Sequence, residues 1–553
     1  MRSLAAVAVT VLVSSCAAPA PPAEAVRSGG TAVIAWQEPD TLDPLYSTGS
    51  QTSGLISALA VEGLVRTGPS GGPIAVLARD VPTLANGGVK IANDSGAMEV
   101  RYDLRPGVRW SDGAPFTSAD VAYTWSLAMH DPKVASREGY DRIDRIDRPD
   151  DRTVVVHYRE IYPAYLGRFE AILPQHLLDG ADEAVRATYG RTPLGTGPFR
   201  ITEFRGGDQV IAERNPLYRF APKPLLDRVV VRFTPSIDVA KAQLRAGEVH
   251  AAPNLGEADV ADLESAGLTL EIARSPMVEA LAFNLAAPAN PADPRRPHPV
   301  LGDVALRRAL LLATPKQRIV DRLLGGRATP GTSELPLGPF AAVEQRQDGY
   351  DPDAARAALE AAGWTPGPDG IRSHAGVRAS LTVTSTTGNR VREQIEQVLI
   401  DEWRAIGVEL RIRNVAAAAL VGTWAASGIR KRGEFDVVLA QLGLSTPDPQ
   451  SYLAQRHRCD AIPTVANGGA GANYERFCDA AVDAALVRAG LLLDPTARRA
   501  AYAEVARTVD AAVADIWLYD RGRINAYAAT LRGHEPNVWD VATWNVQEWS
   551  LAR

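Results

Sequence analysis

Only three cysteines occur in 553 residues, which excludes a disulfide-dense scaffold. Long basic tracts are missing as well. The net charge is −6, with 59 Lys and Arg mixed among 65 Asp and Glu, and Arg430-Lys431-Arg432 is too short to serve a nucleic-acid partner. The eight histidines are scattered and form no HExxH pair or ligand cluster. There is no GxSxG elbow and no GxxxxGKS/T loop, so neither a serine hydrolase nor a nucleotide-phosphate site is written in the chain. No repeat and no coiled-coil period appears. These absences argue against an enzyme, and no metal or cofactor is expected.

What is present is apolar content for large cores and length for two to four folding units. The N-terminus is informative. Arg2 precedes an apolar run at 4–13, too short to span a bilayer but suited to the core of a secretory signal. Val13-Ser14-Ser15-Cys16 follows, and small residues ahead of a single cysteine resemble a bacterial lipobox. The expectation is a signal peptide at 1–15, acylation of Cys16, and a Pro/Ala-rich tether at 16–29 holding the protein at the outer face of the cytoplasmic membrane. The rival is an ordinary signal with an incidental cysteine. In that oxidising compartment Cys459 and Cys478, in one polar Gly/Asn-rich segment, are expected to form a local disulfide worth about 3 kcal/mol. A metal pair is the rival, and neither cysteine has the close CxxC spacing of structural zinc sites.

The chain is organised around residues 98–129, MEVRYDLRPGVRWSDGAPFTSADVAYTWSLAM. Met98, Val100, Tyr102 and Leu104 alternate with polar residues as in a half-buried strand. Pro106-Gly107 and Ser111-Asp112-Gly113 make turns, and Thr117 or Ser118 is placed to cap a helix carrying Val121, Trp125 and Met129. The pattern Y-x-L-R-x-G-V-x-W-x-D-G-x-P-F-T-x-x-D-V resembles the signature of the family 5 extracytoplasmic solute-binding proteins. That family serves ABC importers and includes dipeptide-, oligopeptide- and nickel-binding lipoproteins.

Other segments extend the resemblance. Strand 30–36 leads into the loop QEPDTLDPLYST, similar to the family's LDP turn near the ligand cleft. Pro193-Leu194-Gly195-Thr196-Gly197-Pro198-Phe199 resembles its crossing between lobes. Asn215-Pro216-Leu217-Tyr218 resembles RNPxY, His250 stands where an Asp is usual, and Asn284 falls on the family's F-N. Residues 350–364 match its Y-x-P helix in outline. The stretch 162–178 reads as a helix with Leu166, Phe169 and Ile172 apolar, ended or kinked by Pro174; 53–64 reads as a helix, and 516–519 and 524–527 as two strands.

The resemblance implies an α/β, two-lobed periplasmic-binding-protein fold of class II type, with mixed sheets flanked by helices and an extra domain in lobe I. Lobe I is expected at 30–64, 190–285 and 510–553, its extra domain at 65–189, and lobe II at 286–509. The implied task is to enclose a peptide or other small solute between the lobes and deliver it, as a monomer, to ABC permease subunits.

In the peptide-binding branch an aspartate of lobe II pairs with the ligand's α-amino group, three positions before an acidic-Pro pair and three after a Trp. Anchored on Asp448-Pro449, this sequence has Ser445 in place of the aspartate and Leu442 in place of the Trp. A serine cannot compensate a buried ammonium. Three readings stay open: Asp448 or another acid serves the amino group from a shifted position; the ligand is longer or blocked; or it is a non-peptide such as a glycoside, metal chelate or porphyrin. Further contact candidates implied by the resemblance are Trp36, Glu38 and Tyr46, the Gly195-Thr196-Gly197 turn, Asn284, Trp424 and Arg430; Tyr519 and Asp520, which precede a turn near the return to lobe I, are added for their place in the chain. Each competes with a plain packing role. A competing class is a binding scaffold that has left transport for envelope assembly or signalling.

Overall fold

The computed structural model describes residues 28–48, 50–92, 96–288, 296–341, 347 and 349–552. The expected signal peptide and Cys16 lie outside the described residues. Among the described residues an eleven-stranded mixed sheet runs through the molecule. Its order is Glu409–Val415, Ser380–Thr386, Val437–Gly443, Thr269–Phe283, Asp515–Tyr527, Ala251–Leu255, Thr31–Trp36, Arg228–Phe233, Gln209–Arg214 and Phe199–Arg205, with Thr329–Pro330 paired to Asp515–Tyr527 off that path. Thr31–Trp36 is parallel to both its neighbours, and Thr269–Phe283 is antiparallel to both of its own. His250, in place of the usual Asp, accepts a hydrogen bond from the Val33 amide at its Nδ1, 3.0 Å away. Burial lowers the pKa of this imidazole and so keeps it neutral.

Two long strands join the lobes. Thr269–Phe283 and Asp515–Tyr527 pair from Thr269 opposite Tyr527 to Ala282 opposite Asp515, with register shifts between Arg274 and Val278 and between Glu279 and Ala280. Their two ends belong to different cores. Leu281, Phe283, Ile516, Leu518 and Tyr519 pack with the helices Val304–Leu312 and Arg390–Ala405, whereas Ile524 and Ala526 pack with Ala240, Leu244 and Val260.

The sequence reads 516–519 and 524–527 as separate strands because Asp520-Arg521-Gly522-Arg523 looks like a turn. The ladder continues through it because each polar group finds a tertiary partner. Arg274 grips Asp520, and the Gly522 amide donates to Glu257 at 3.1 Å. Paired in this way, a polar stretch is held in the sheet interior.

Around residues 98–129 a separate four-stranded sheet forms. Met98–Asp103 alternates buried and accessible positions within the sheet Val89–Ile91, Met98–Asp103, Thr153–Tyr158, Ile143–Asp150. Thr117 caps the helix Ser118–His130, and Asp120 accepts the Thr117 amide at 2.9 Å, closing a capping box. The charge-laced DRIDRIDR segment forms the edge strand, where charges discourage further strand addition.

Two helical expectations are corrected. Residues 162–178 form only a tight turn at Tyr165–Gly167 and a short helix at Gln175–Leu178. Pro163, Gly167 and Pro174 break the helix, and the intervening chain is drawn into main-chain bonds with the segment before it, Leu64 N to Phe169 O at 2.8 Å and Ile172 N to Glu62 O at 3.0 Å. The first helix is Ser50–Ser57 rather than 53–64. The carbonyls of Leu59 and Ala60 are taken by the amides of Phe199 and Gly197, so the chain leaves the helix to meet that crossing.

Lobe II has a second, helical core from Gln450–His457, Ala480–Ala489 and Pro495–Ala512. The disulfide Cys459–Cys478 ties its loops together, with Cα atoms 4.7 Å apart.

Candidate functional site

The cleft is assembled around Glu170. Phe169 and Ile172 are almost fully buried in the extra domain's core, which anchors the extended segment on both sides. Glu170 between them is solvent-accessible. Gly63 fixes the depth of that segment: a Cβ there would lie 2.3 Å from the Glu170 carbonyl carbon, so only glycine admits this close approach.

Three adjoining cavities share Glu170 as a lining residue. The smallest, about 200 Å³, lies where the lobes face each other and brings Trp36, Asn254 and Arg523 of one side against Ser445 of the other, with Trp539, which packs on the helical core of lobe II, also in its wall. A second, about 460 Å³, runs between helix Ser50–Ser57 and the extra domain, past Glu62, Arg66 and Arg168. A third, about 600 Å³, opens between the extra domain and lobe II.

Charge in the cleft is mostly committed. Asp540 pairs with Arg66 at 2.8 Å, and Arg66 also donates to Trp544 O at 2.7 Å. Glu62 is held by Arg219 at 2.6 and 2.9 Å and by the Thr196 hydroxyl at 2.9 Å. Arg523 donates to the carbonyls of Asn537 and Asp540, and burial lowers its pKa. Arg168 donates to Glu138 O at 2.7 Å.

Glu170 differs. Among the described residues none donates a hydrogen bond to its carboxylate. Protein packed round the cleft desolvates it and pushes its pKa up to about 6; Arg168 and Arg66 oppose the rise and Asp540 adds to it. An accessible, desolvated carboxylate is suited to receive a cation.

Asn254 completes the wall with a left-handed backbone, φ 58°, at a register shift between Ala252 and Leu255, and its amide donates to Asn525 Oδ1 at 3.2 Å. Such irregularities re-aim side chains beside binding sites.

Of the residues singled out from sequence, Trp36, Ser445 and Asp448 line these cavities. The others do not. Glu38 accepts the Gly207 amide at 3.0 Å, and the Tyr46 hydroxyl donates to Asp131 at 2.7 Å. Gly195 and Gly197 press against the Ala60 carbonyl, and Thr196 is buried on Glu62. Asn284 is buried and donates to the carbonyls of Gly433 and Phe435.

In lobe II, Trp424 stacks under Arg432, and Arg430 lies over the ring of Tyr474. Leu442 joins Val278, Ala280 and Trp517 in a small apolar cluster. Tyr519 is buried in the lobe II core, and Asp520 is taken by Arg274.

Glu170, Asn254, Arg523 and Trp539 were not legible as site residues. Asn254, Arg523 and Trp539 arrive from distant segments, and helix-like spacing conceals Glu170 in its own stretch. The one available signal was the charge missing at Ser445.

Two lobes joined by a pair of long strands, closing on a cleft with one uncommitted carboxylate, define a solute-binding protein. The profile described as bacterial extracellular solute-binding proteins, family 5 Middle, matches residues 81–462. Protein XP55 of Streptomyces lividans is 30% identical over 483 residues, 85% of this chain and 80% of that one. In fold the chain is similar to NikZ of Campylobacter jejuni in complex with Ni(L-His), with TM-score 0.74 and 22% identity over 94% of this chain and 99% of that one. It is similar too to the oligopeptide-binding protein AppA of Bacillus subtilis in complex with a nonapeptide, with TM-score 0.70 and 23% identity over 96% of this chain and 100% of that one.

The chain belongs to the family 5 bacterial extracellular solute-binding proteins. It is the extracytoplasmic substrate-binding component of an ABC importer, works with the permease subunits, and belongs to a non-catalytic class.

Proposed function

We propose that the solute is a peptide with a free amino end, and that Glu170 of the extra domain, rather than the position of Ser445, meets its ammonium. The observation that carries this is the shared place of Glu170 in all three cavities, with no described hydrogen-bond donor on its carboxylate. Ser445 lines the same small cavity, so a counter-charge at Glu170 serves the space that an acid at 445 would serve. Asp448 is no substitute, because Arg498 already holds it. The cavities suit a ligand of several residues, since about 460 and 600 Å³ each fall within the usual size of a small-ligand pocket. The nonapeptide held by the similar AppA supports the same class of ligand.

The lobes are proposed to close on the peptide about the two long strands, with lobe I at 30–64, 190–285 and 510–553 refined by crossings inside those strands. The protein is proposed to be anchored through an acylated Cys16, which loss of membrane retention in Cys16→Ala would test.

Calorimetric titration with free-amino and N-acetylated tetraalanine tests the ligand. The free peptide should bind, and acetylation or Glu170→Gln should weaken binding about thirtyfold, the equivalent of roughly 2 kcal/mol for a charge-assisted contact. Equal binding of both peptides, with Glu170→Gln silent, would sink the reading. So would native mass spectrometry showing a nickel–histidine chelate as the retained solute.

A further inference from the structure

We infer that the 600 Å³ cavity between the extra domain and lobe II is a subsite for a bulky apolar side chain at or next to the peptide's amino end. This rests on the reading that Glu170 holds the ammonium, because Glu170 lines that same cavity. A residue pinned there projects its own side chain, or its neighbour's, into the space.

The walls are apolar on both bodies. Leu84 and Leu166 come from the extra domain, and Phe340, Pro447, Leu493 and Pro495 come from lobe II. Leu84 lines the cavity and is 53% exposed, leaving apolar area that an apolar occupant would remove from water.

The charges bordering the cavity are committed elsewhere. Arg498 and Asp448 neutralise each other, Asp494 accepts the Thr496 and Ala497 amides at the start of helix Pro495–Ala512, Arg66 pairs with Asp540, and Arg168 holds a carbonyl. A cationic side chain entering here would lose water and meet, beyond the Glu170 that the ammonium occupies, only Asp494 among the lining carboxylates not already paired with a cation, and that group is bound to two helix amides and exposed to water. An aromatic or large aliphatic side chain loses nothing.

The two walls belong to different lobes, so an occupant of this cavity touches both. It therefore binds the closed arrangement better than the open one, which is the differential contact that a closing ligand requires. The subsite would couple side-chain identity to closure.

The test is calorimetry on the purified protein with Ala-Ala-Ala-Ala, Phe-Ala-Ala-Ala, Ala-Phe-Ala-Ala, Lys-Ala-Ala-Ala and N-acetyl-Phe-Ala-Ala-Ala. One of the two Phe peptides should bind at least tenfold tighter than tetraalanine, in line with the roughly ten- to two-hundred-fold selectivity of apolar pockets, and the Lys peptide should gain nothing. Leu84→Asp, at an exposed position that leaves the core intact, should reduce the Phe gain, taken relative to tetraalanine on the same variant, below threefold.

Equal affinity for the Ala, Phe and Lys peptides, with binding still lost on acetylation, would overturn the subsite and leave Glu170 in its role. Binding that ignores acetylation, or no binding of any peptide, would overturn both. A Phe gain that persists in Leu84→Asp would place the apolar contact elsewhere and overturn the subsite as well.

Discussion

Both carboxylate oxygens of Asp448 are held by the guanidinium of Arg498, at 2.7 and 2.8 Å. The planar fork of arginine matches a carboxylate in this way, and Arg498 is further fixed by the Tyr502 hydroxyl at 2.5 Å. Asp448 borders the cleft, but its charge is satisfied within lobe II. The Asp448-Pro449 pair that anchors the family comparison is thus a structural fixture here, and the acid that a ligand cation needs must come from another element.

Asp448→Asn should therefore act on stability. Removing one partner leaves the Arg498 cation, only 5% exposed, without its counter-charge. Loss of a buried pair's partner costs about 3–5 kcal/mol, and partial exposure of Asp448 brings the expectation to about 2–3 kcal/mol. Denaturant unfolding should report that loss, while affinity for tetraalanine changes less than threefold. A large loss of affinity with unchanged stability would assign Asp448 to the ligand.

The Gly195-Thr196-Gly197 turn yields a second separation of packing from binding. A Cβ on residue 195 would lie 1.9 Å from the Ala60 carbonyl oxygen, with main chain on both sides and nothing flexible to give way. Gly195→Ala should destabilise by about 3 kcal/mol or more, at the upper end of overpacking costs. Thr196→Val removes the hydroxyl's bond to Glu62 but leaves Glu62 its two Arg219 contacts, and should cost about 1 kcal/mol. Peptide affinity should be retained in the folded Thr196→Val protein, as calorimetry would show.

Local pattern carried much of the architecture into the sequence. The alternation at 98–104, the Thr117 cap and the charged edge strand are all governed by neighbours in the chain, and they form as read. The segment around Glu170 is governed by partners far away. Its apolar spacing suits a helix, yet Pro163, Gly167 and Pro174 forbid one, and the chain is claimed by residues 62–64. That tertiary claim is what turns Glu170 toward the cleft. Likewise Asp520 and Tyr519 looked ligand-facing at the end of a strand, but the strand runs on and buries them. Side chains fixed by their own element were legible; those aimed by a distant backbone were not.

The disulfide sits beside a buried ionic cluster, and the two should fail together. Arg456, three residues before Cys459, contacts Glu334 at 2.9 Å, Glu475 at 3.0 Å and Asp515 at 2.6 Å; Glu475 lies three residues before Cys478. The bond thus staples the two segments that supply Arg456 and Glu475 to this network. Replacing both cysteines by serine should cost about 3 kcal/mol from the regained freedom of the loop. Denaturant midpoints should fall accordingly, with peptide affinity preserved, because neither cysteine borders the three cavities.

The pH dependence of binding offers the sharpest test of Glu170. Its pKa in the free protein is raised to about 6 by desolvation. An ammonium binds the ionised carboxylate, so below that value binding must first expel a proton. Affinity should fall as pH drops through about 6, approaching tenfold per unit, and the complex should release a proton measurable as a buffer-dependent enthalpy. Stability of the empty protein has the opposite slope. A raised carboxyl pKa means the folded state holds its proton more tightly than the unfolded chain, so stability declines as pH rises from the unfolded value, near 4.5, through about 6. Glu170→Gln should abolish the acid limb of affinity, leaving only the fall as the peptide's own amine deprotonates near pH 8, and should lessen the stability slope without flattening it, because burial also raises the Asp43 carboxyl to about 6 and that of Asp510 to about 7. An acid limb that survives in Glu170→Gln would show that another carboxylate receives the peptide.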